Sequence, residues 1–394
     1  MLGDLDTLMD KYGIDALFTV GSAFETPDVF WLTEFRSPDE IIFIQNKDDK
    51  PIVAAAFNTL ERVEKESRIK TTHDLTSVFV KLMKENKRIP EHLDVVFQEI
   101  LSSIFSGKTI GIPENTTAKV LAIVQKLGYE VKVVDDLMME ARATKSEREV
   151  KAIKKAGDAT IGAMSRVMEM VKDSEIGPNK TLMYKGKPMT VRDVKLALEH
   201  YLLDNDAQSA EDTILAVGKK AFDWHYLGVP GDELKAYVPI ILDVFPRLTM
   251  DRYVADVTRT FVRGSPTEEV RHVLESVQAA ADVSIDALTD GVNIDEVNLV
   301  CAETLKKNGY DSRRLNPAAT EGMTHGLGHG IGLSVHEFPS MYKREDHFKA
   351  GNVMAIEPGV YLKALGGVRI ENDYVVTKRK ATLLTAGLDE ILYL

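Results

Sequence analysis

The sequence has one cysteine and no apolar run near the roughly 18 residues that a membrane helix requires. Cys301 alone cannot form an internal disulfide, and its helical-looking surroundings favour buried packing over a catalytic thiol. Basic residues are outnumbered, 49 against 61 acidic ones, and the net charge of −12 disfavours a nucleic-acid partner. The acidic first ten residues do not resemble an export signal. We therefore expect a cytoplasmic, globular protein that acts on small molecules or peptides, with no nucleic-acid or membrane partner.

The length of 394 residues exceeds the usual size of one domain and predicts two. Over residues 1–140, β-rich runs alternate with amphipathic stretches, which indicates an α/β domain without a glycine-rich phosphate loop. The runs are 16–20, 40–44, 51–56, 109–112 and 130–134. Ser146 and Glu149 have the spacing of a capping box, so we place the start of a second domain, 145–394, at this helix.

The second domain repeats one arrangement, a pair of helices followed by strands. The first set comprises helices from Ser146 to about Lys172 and over 190–203, then strands at 212–217, 237–245 and 252–263. The second set comprises a helix with its N-cap at Ser265 and a capping-box Glu268, a helix beginning at Asn293, and strands at 353–361 and 366–376. The repetition predicts two similar halves packed around a shared cleft, and the fold class of this domain is α+β.

Carboxylates interrupt strands that are otherwise apolar. They are Asp243, Asp256, Glu357 and Glu371. One alone would be read as a solvated residue or as a partner of Arg259 or Arg369. Because a buried carboxylate costs several kcal/mol unless it is paired or binds a metal, four of them require another explanation. Strand parity places Asp256 on one face with Thr258 and Thr260, and Glu371 on one face with Arg369 and Asp373, which predicts polar walls of a cleft.

Three of the nine histidines lie close together in the segment THGLGHGIGLSVHEFP, at His325, His329 and His336. Glycines 326, 328, 330 and 332 remove bulk around these rings, as in a backbone that runs close to a ligand or metal. Imidazole with carboxylates is a ligand set for divalent transition metals, and bridging carboxylates favour two ions ~3.5–4 Å apart. Two such ions would balance the charge of four carboxylates.

The order of these motifs resembles the pita-bread metallopeptidases, which include aminopeptidase P, prolidase and methionine aminopeptidase. The similar segments are LDVF (242–245), YVADVTRT (253–260), HGLGHGIGLSVHEFP (325–339), IEPGVY (356–361) and VRIEND (368–373). The resemblance implies a catalytic pita-bread domain over 145–394, preceded by a smaller creatinase-like α/β domain. It also implies two divalent ions per subunit, with Mn²⁺ or Co²⁺ favoured and Zn²⁺ also suitable. The implied ligands are Asp243, Asp256, His329, Glu357 and Glu371.

The same resemblance implies roles for residues around the metals. Glu357 would move the proton of the attacking water, and His225 and His336 would bind the substrate carbonyl. His325 would contact substrate or support a ligand, and Arg369 would orient Glu371 or meet a substrate carboxylate. Aromatic candidates for the pocket wall are Phe222, Trp224, Tyr226 and Phe338.

The N-terminal domain resembles that of the proline-specific branch, so we expect an exopeptidase that cleaves the N-terminal Xaa-Pro bond as a homodimer. Two features depart from the family: 13 residues separate Asp243 from Asp256, two more than usual, and a polar insert spans 177–189. The longer hairpin would shift Asp243, and the insert would cover the cleft or an oligomer surface. Three alternative functions are a creatinase-like hydrolase of small amidines, a non-catalytic peptide-binding module and a mononuclear iron oxygenase. The last fits poorly, because carboxylates outnumber histidine ligands.

Overall fold

The computed structural model describes residues 4–394, in which two units are distinguished, Met1–Arg142 and Ala143–Leu394. The division into two domains, 1–140 and 145–394, that fold independently stays a prediction. Among the described residues, no helix combines the length and apolar character of a bilayer span.

The first unit is built on a six-stranded mixed sheet in the order β4-β3-β2-β1-β5-β6. Its strands are β1 (Ala16–Gly21), β2 (Ile41–Asn46), β3 (Ile52–Ala55), β4 (Thr71–Asp74), β5 (Thr109–Pro113) and β6 (Glu130–Val134). Its helices are α1 (Leu5–Tyr12), α2 (Pro27–Thr33), α3 (Phe57–Glu66), α4 (Thr76–Lys84), α5 (Leu93–Ile104), α6 (Ala118–Lys126) and α7 (Leu137–Ala143), the last of which ends one residue past the unit boundary. The five β-rich runs correspond to strands, whereas β4 escaped prediction because its sequence, TTHD, is polar and partly exposed.

The second unit contains two helix pairs, each followed along the chain by a sheet. The helices are α8 (Glu147–Lys172), α9 (Val191–Asp204), α10 (Glu268–Ala287) and α11 (Ile294–Lys307). The strands of its first part are β7 (Glu175–Ile176), β8 (Leu182–Tyr184), β9 (Lys187–Pro188), β10 (Ala207–Ser209), β11 (Ile214–Val217), β12 (Ile240–Val244), β13 (Pro246–Leu248) and β14 (Val257–Val262). Those of its second part are β15 (Gly328–Gly330), β16 (Glu337–Ser340), β17 (Val353–Ile356), β18 (Gly359–Leu362), β19 (Gly366–Arg369), β20 (Asn372–Val375), β21 (Thr382–Leu383) and β22 (Ile391–Tyr393).

Two sheets carry the residues of interest, one in the order β11-β12-β14-β22 and one in the order β16-β15-β17-β20-β21. Helices α8 and α9 pack in the apolar core beside the first sheet, and α10 and α11 pack in the core beside the second. The observed order of elements, with two helices ahead of each sheet, therefore agrees with the predicted repetition. The mixture of helices and antiparallel sheets confirms the α+β class.

Local capping signals decided where the helices begin. Helix α8 starts after Ser146, whose hydroxyl accepts from Glu149 N–H while the Glu149 carboxylate accepts from Ser146 N–H. For α10 the predicted N-cap Ser265 is wrong. The cap is Thr267, two residues later, because its hydroxyl accepts from the backbone N–H of Val270 in the first turn.

The hairpin between Asp243 and Asp256 is longer than usual, but its extra residues do not displace Asp243. Strands β12 and β14 pair in register, with Asp243 opposite Thr258. The extra length forms β13, which pairs with β10, and Asp243 lies within β12. The ligand candidate keeps its place in the ladder.

Two predicted strands are each divided at a carboxylate. The strand expected over 353–361 ends at Ile356 and resumes at Gly359, because Pro358 has no N–H for a ladder. The strand expected over 366–376 is interrupted at residues 370–371. Glu357 and Glu371 therefore lie just outside the strands, each directly beside a strand end.

The polar insert forms a small three-stranded sheet, β7-β8-β9, which buries Leu182. Thr181 of the insert forms an isolated bridge with Lys235. None of residues 177–189 is among the described residues that line the main cavity, and a role of the insert in covering the cleft or an oligomer surface stays a prediction. The insert therefore pairs within its own small sheet and with Lys235.

Arg259 is a fully buried cation in β14 that binds mainly to backbone carbonyls. Its guanidinium donates to the carbonyls of Thr258, Glu371, Leu388 and Asp389 and to the side chain of Asn372. It therefore ties β14 to the start of β20 and to the C-terminal segment. The bond to the Glu371 carbonyl fixes the backbone of a ligand candidate.

Replacing Arg259 by Met should lower the free energy of unfolding by about 3 kcal/mol or more, because several buried carbonyls lose their donor. Urea unfolding monitored by circular dichroism measures the change. Arg379→Met, at an exposed loop position, is the matched control and should change stability by less than about 0.5 kcal/mol. Equal stability of the two variants would contradict this account.

Candidate metal centre and substrate cavity

One cavity of about 600 Å³ collects the side chains that the sequence marked as ligands, acid–base groups or substrate contacts. They are Asp243, Asp256, His329, Glu357 and Glu371, together with His225, His325, His336 and Arg369. Of the five ligand candidates, two lie within strands, Asp243 in β12 and His329 in β15. The other three carboxylates each lie directly beside a strand end, Asp256 before β14, Glu357 after β17 and Glu371 before β20. Both sheets therefore supply side chains to one cleft.

Asp256, His329 and Glu371 offer ligand atoms that all lie within 4.8 Å of one another. Nε2 of His329 is 3.7 Å from an Asp256 oxygen, 3.8 Å from a Glu371 oxygen and 3.9 Å from a Glu357 oxygen. These separations are too long for hydrogen bonds. They suit ligands of one cation, since two bonds of about 2.1 Å at a tetrahedral angle place their ligand atoms roughly 3.4 Å apart.

The His329 ring is neutral and correctly turned to act as a ligand. Its Nδ1 lies 3.2 Å from the Gly330 carbonyl, which places the proton on Nδ1 and leaves the lone pair of Nε2 facing the carboxylates. Burial lowers the pKa of His329 to about 3, and the neighbouring His336 acts in the same direction. At neutral pH the imidazole therefore does not supply the positive charge that the carboxylates need.

The buried carboxyl groups lie close together, and their pKa values are raised. Burial raises the pKa of Glu357 to about 8; the charge of Arg369 opposes this shift and that of Asp243 adds to it. Burial followed by mutual repulsion also raises the pKa values of Asp256 and Glu371 well above their ordinary range. Without a further cation, these groups hold protons near neutrality.

Asp243 is held by Arg369. Nη2 of this buried arginine donates to Oδ2 of Asp243 over 2.6 Å, and its Nε donates to the hydroxyl of Thr258 over 3.0 Å. That hydroxyl in turn donates to Glu371 over 2.7 Å. Arg369 therefore contacts Asp243 directly, and it acts on Glu371 mainly through Thr258, because its own Nε is 4.0 Å from the Glu371 oxygen.

Tyr361 was not singled out from the sequence, although it belongs to the IEPGVY motif. Nη1 of Arg369 lies 2.9 Å from its hydroxyl, which lies 3.0 Å from Nε2 of His325. Nδ1 of His325 is 2.7 Å from the Gly326 carbonyl. Both ring nitrogens of His325 thus have protein partners, and burial lowers its pKa to about 3. His325 is fixed within the wall, 3.7 Å from Glu357.

The glycines around His329 serve the sheet rather than a ligand. A Cβ at Gly328 would collide with the carbonyl of Ala355, and one at Gly330 would collide with the backbone of Phe338. These contacts arise because β15 lies between β16 and β17. The prediction that glycine makes room for a ligand is wrong at these two positions, where close strand packing requires it.

The remaining candidates differ in position. His225 and His336 are exposed at the cavity wall, and the His336 ring centre lies 4.3 Å from that of His329. Of the four aromatic candidates, Trp224 lines the cavity. Phe222 and Tyr226 pack with Trp224 against a small apolar cluster, and Phe338 lies beneath Lys343. The wall prediction is therefore correct for Trp224 and wrong for the other three.

The donor set fits divalent transition-metal ions, since it combines carboxylate oxygens with a neutral imidazole. Oδ1 of Asp243 and Oδ1 of Asp256 are buried without a hydrogen-bond partner among residues 4–394. A buried unpaired oxygen is costly, and a cation in the cleft would satisfy both atoms. The same cation would allow the carboxyls with raised pKa values to ionise.

Known proteins support this chemistry. The model of metallopeptidase family M24 matches residues 151–378. The Xaa-Pro dipeptidase of Pyrococcus furiosus is 28% identical over 316 residues, which cover 79% of this chain and 83% of that protein. Two solved structures show the same fold. The prolidase from Pyrococcus furiosus has a TM-score of 0.76 at 24% identity and covers 98% of this chain and 100% of its own. The X-Pro aminopeptidase from Thermotoga maritima has a TM-score of 0.78 at 22% identity, with 98% and 99% covered.

The stability that a metal ion adds should grow between pH 7 and 9. A carboxyl whose pKa is raised from 4.5 to about 8, as for Glu357, stabilises the metal-free fold fully below pH 4.5, and this contribution is lost as pH rises through 8. His329 and His325 are neutral in the folded state, and over most of this range in the unfolded state as well. Calorimetry with chelator and with Mn²⁺ should show a difference in Tm that widens with pH, and a constant difference would contradict the assignment. Glu357→Gln should reduce the widening.

Proposed function

The chain belongs to metallopeptidase family M24 and is a hydrolase that uses divalent metal ions, and we propose that it cleaves the N-terminal Xaa-Pro bond of short peptides. The observation that carries the proposal is the convergence of the four carboxylate ligand candidates and four histidine rings on one cavity of about 600 Å³. The relatives named Xaa-Pro dipeptidase support the same choice of bond.

We propose two ions per chain, held by Asp243, Asp256, His329, Glu357 and Glu371, with Mn²⁺ or Co²⁺ preferred over Zn²⁺. The group around Asp256, His329 and Glu371 supports one ion directly. The unpartnered oxygen of Asp243 supports a second position on the same cleft. When bound, the ions lower the pKa of a water molecule and polarise the scissile carbonyl.

The protein's own side chains then have distinct tasks. Glu357 lies 3.7 Å from His325 and 3.9 Å from His329. Once bound cations ionise it, its carboxylate is placed to take a proton from water and pass it to the leaving nitrogen. His225 and His336, exposed at the wall, are placed to donate to the substrate carbonyl. Arg369 and His325 are positioning residues, since protein groups occupy the polar atoms of His325 and three nitrogens of Arg369.

A proline-containing substrate is consistent with this wall. Trp224 and His325 lie with ring centres 5.8 Å apart, and the proline ring is rigid, apolar and without an N–H. Discrimination then rests on shape beside the metals rather than on a hydrogen bond to the leaving amide. The homodimer and the cytoplasmic location stay predictions.

Protein stripped of metal by a chelator should hydrolyse no peptide, and addition of Mn²⁺ or Co²⁺ should restore cleavage of Ala-Pro but not of Ala-Ala-Ala. Liquid chromatography of the products measures both. Failure to cleave any proline peptide with any of Mn²⁺, Co²⁺ or Zn²⁺ would refute the proposed function.

A matched pair of variants separates the site from its surroundings. Glu357→Gln should reduce kcat by about 10²-fold or more, because it removes a metal ligand and the proton carrier together. Glu345→Gln, at an exposed position outside the cavity, should retain wild-type activity.

A further inference from the structure

The imidazole of His336 is placed at the cavity wall by its backbone rather than by contacts of its own polar atoms. The ring is exposed, forms no hydrogen bond to any residue in the range 4–394, and has its centre 4.3 Å from that of the His329 ring. Its backbone belongs to a turn over residues 331–336, between β15 and β16. Because a misplacement of about 1 Å can reduce a catalysed rate about 10²-fold, the conformation of this turn bears directly on catalysis.

The residue after His336, Glu337, holds the turn from the inside. Oε1 of its carboxylate accepts from the backbone N–H of Leu333 over 2.8 Å and from that of Ser334 over 3.0 Å. A Cβ at Gly332 would collide with the same carboxylate, so the carboxylate fills the space within the turn. One buried side chain therefore fixes the backbone that leads to the exposed imidazole.

A lysine from a distant part of the sequence balances the charge of Glu337. Nζ of Lys145 lies 3.2 Å from Oε2 of Glu337, and the two side chains are only 2% and 1% exposed. A buried ion pair commonly adds no stability over apolar residues of similar volume, and what it does provide is a fixed position for its members. Removal of one partner leaves the other as an uncompensated buried charge.

The backbone around Lys145 is itself fixed. The N–H of Lys145 donates to the carbonyl of Gly351 over 2.8 Å. The next residue, Ser146, is the N-cap of α8, and the Glu149 carboxylate that accepts from its N–H also accepts from the hydroxyl of Tyr253 over 2.7 Å. Lys145 therefore extends to Glu337 from an anchored helix start rather than from a loose connection.

We propose that Lys145 is a positioning residue for catalysis, which acts through the Glu337 carboxylate to hold the His336 imidazole against the substrate carbonyl. The path is continuous, since Nζ pairs with Oε2, Oε1 binds two N–H groups of the turn, and the turn carries the ring. The ring is fixed in this way without a bond to the nitrogen that must donate to the substrate. This inference rests on the proposed function for the role of His336 and adds two residues, neither of which is among the described residues that line the cavity.

The first test needs no activity. In metal-free protein, Lys145→Met removes the counter-charge of Glu337, and the amides of Leu333 and Ser334 should exchange about tenfold faster or more. Hydrogen–deuterium exchange of a peptide that spans 331–337, followed by mass spectrometry, measures the rate. The control is Lys154→Met, which removes an exposed lysine of α8 that pairs with Asp158, and exchange in the turn should not change. Unchanged exchange in Lys145→Met would overturn the proposal.

The second test asks whether Lys145 acts through His336. On Mn²⁺-loaded protein, Lys145→Met should lower kcat/KM for Ala-Pro by about tenfold or more. In a His336→Ala background the same substitution should lower kcat/KM by less than about twofold, because the ring that it positions is already absent. An equal loss in both backgrounds would mean a general effect on the fold and would overturn the proposal.

Two double variants keep the proposal testable if Lys145→Met does not fold. Lys145→Met with Glu337→Gln removes both charges and keeps a side-chain oxygen for the turn, so it should recover about half or more of the wild-type kcat/KM and exchange protection. Lys145→Met with Glu337→Ala removes the charges and the acceptor, so both losses should persist. Equal behaviour of the two double variants would contradict the assigned path.

The two tests also separate this inference from the function on which it rests. Loaded wild-type protein that cleaves no proline peptide would refute the proposed function, whereas the exchange rates would still decide whether Lys145 holds the turn. Cleavage of Ala-Pro at the wild-type rate by Lys145→Met would overturn the positioning role while Xaa-Pro hydrolysis stands.

Discussion

Mutual repulsion among buried carboxylates is the constraint on which this site depends. Asp243, Asp256, Glu357 and Glu371 line one cleft, and the histidine beside them is neutral. Among residues 4–394, Arg369 is the cation in contact with the group; it pairs with Asp243 and only partly offsets the charges of Glu357 and Glu371. The remainder must be protonated or must bind metal ions. The fold therefore maintains a site that is unfavourable when metal-free and becomes favourable when divalent ions bind, and this links metal affinity, protonation and stability.

Strand β14 holds the carboxylate cluster through residues on both of its faces. On the cleft side of β14, Thr258 donates to Glu371, and Thr260 exchanges hydrogen bonds with the backbone of Arg369. On the other side, Arg259 binds the carbonyl of Glu371 and four further acceptors. The carboxylate at the start of β20 is thus fixed through both its side chain and its backbone. Such fixing matters because a metal site loses affinity when its ligands must be ordered on binding.

The sequence was most informative where chemistry contradicts local structure. A carboxylate in an apolar strand is rare, so Asp243 and Glu357 could be recognised as ligand candidates. The capping box at Ser146 could be predicted because it depends only on residues four positions apart or fewer. Features that depend on distant contacts were not predictable. Tyr361 and Lys145 are ordinary residues until the fold places one between Arg369 and His325 and the other beside Glu337. The break at Glu371 and the strand contact that requires Gly328 likewise arise from pairing between distant segments.

We propose that two divalent ions complete the carboxylate cluster. Equilibrium dialysis of the chelator-treated protein against Mn²⁺ at pH 8, followed by elemental analysis, counts the ions bound to each chain. We expect two ions per chain in the wild type and fewer in Asp256→Asn, because Asp256 is one of the three residues whose ligand atoms lie within 4.8 Å of one another. A wild-type protein that binds no Mn²⁺, Co²⁺ or Zn²⁺ under these conditions, or that binds them equally well after Asp256→Asn, would contradict it.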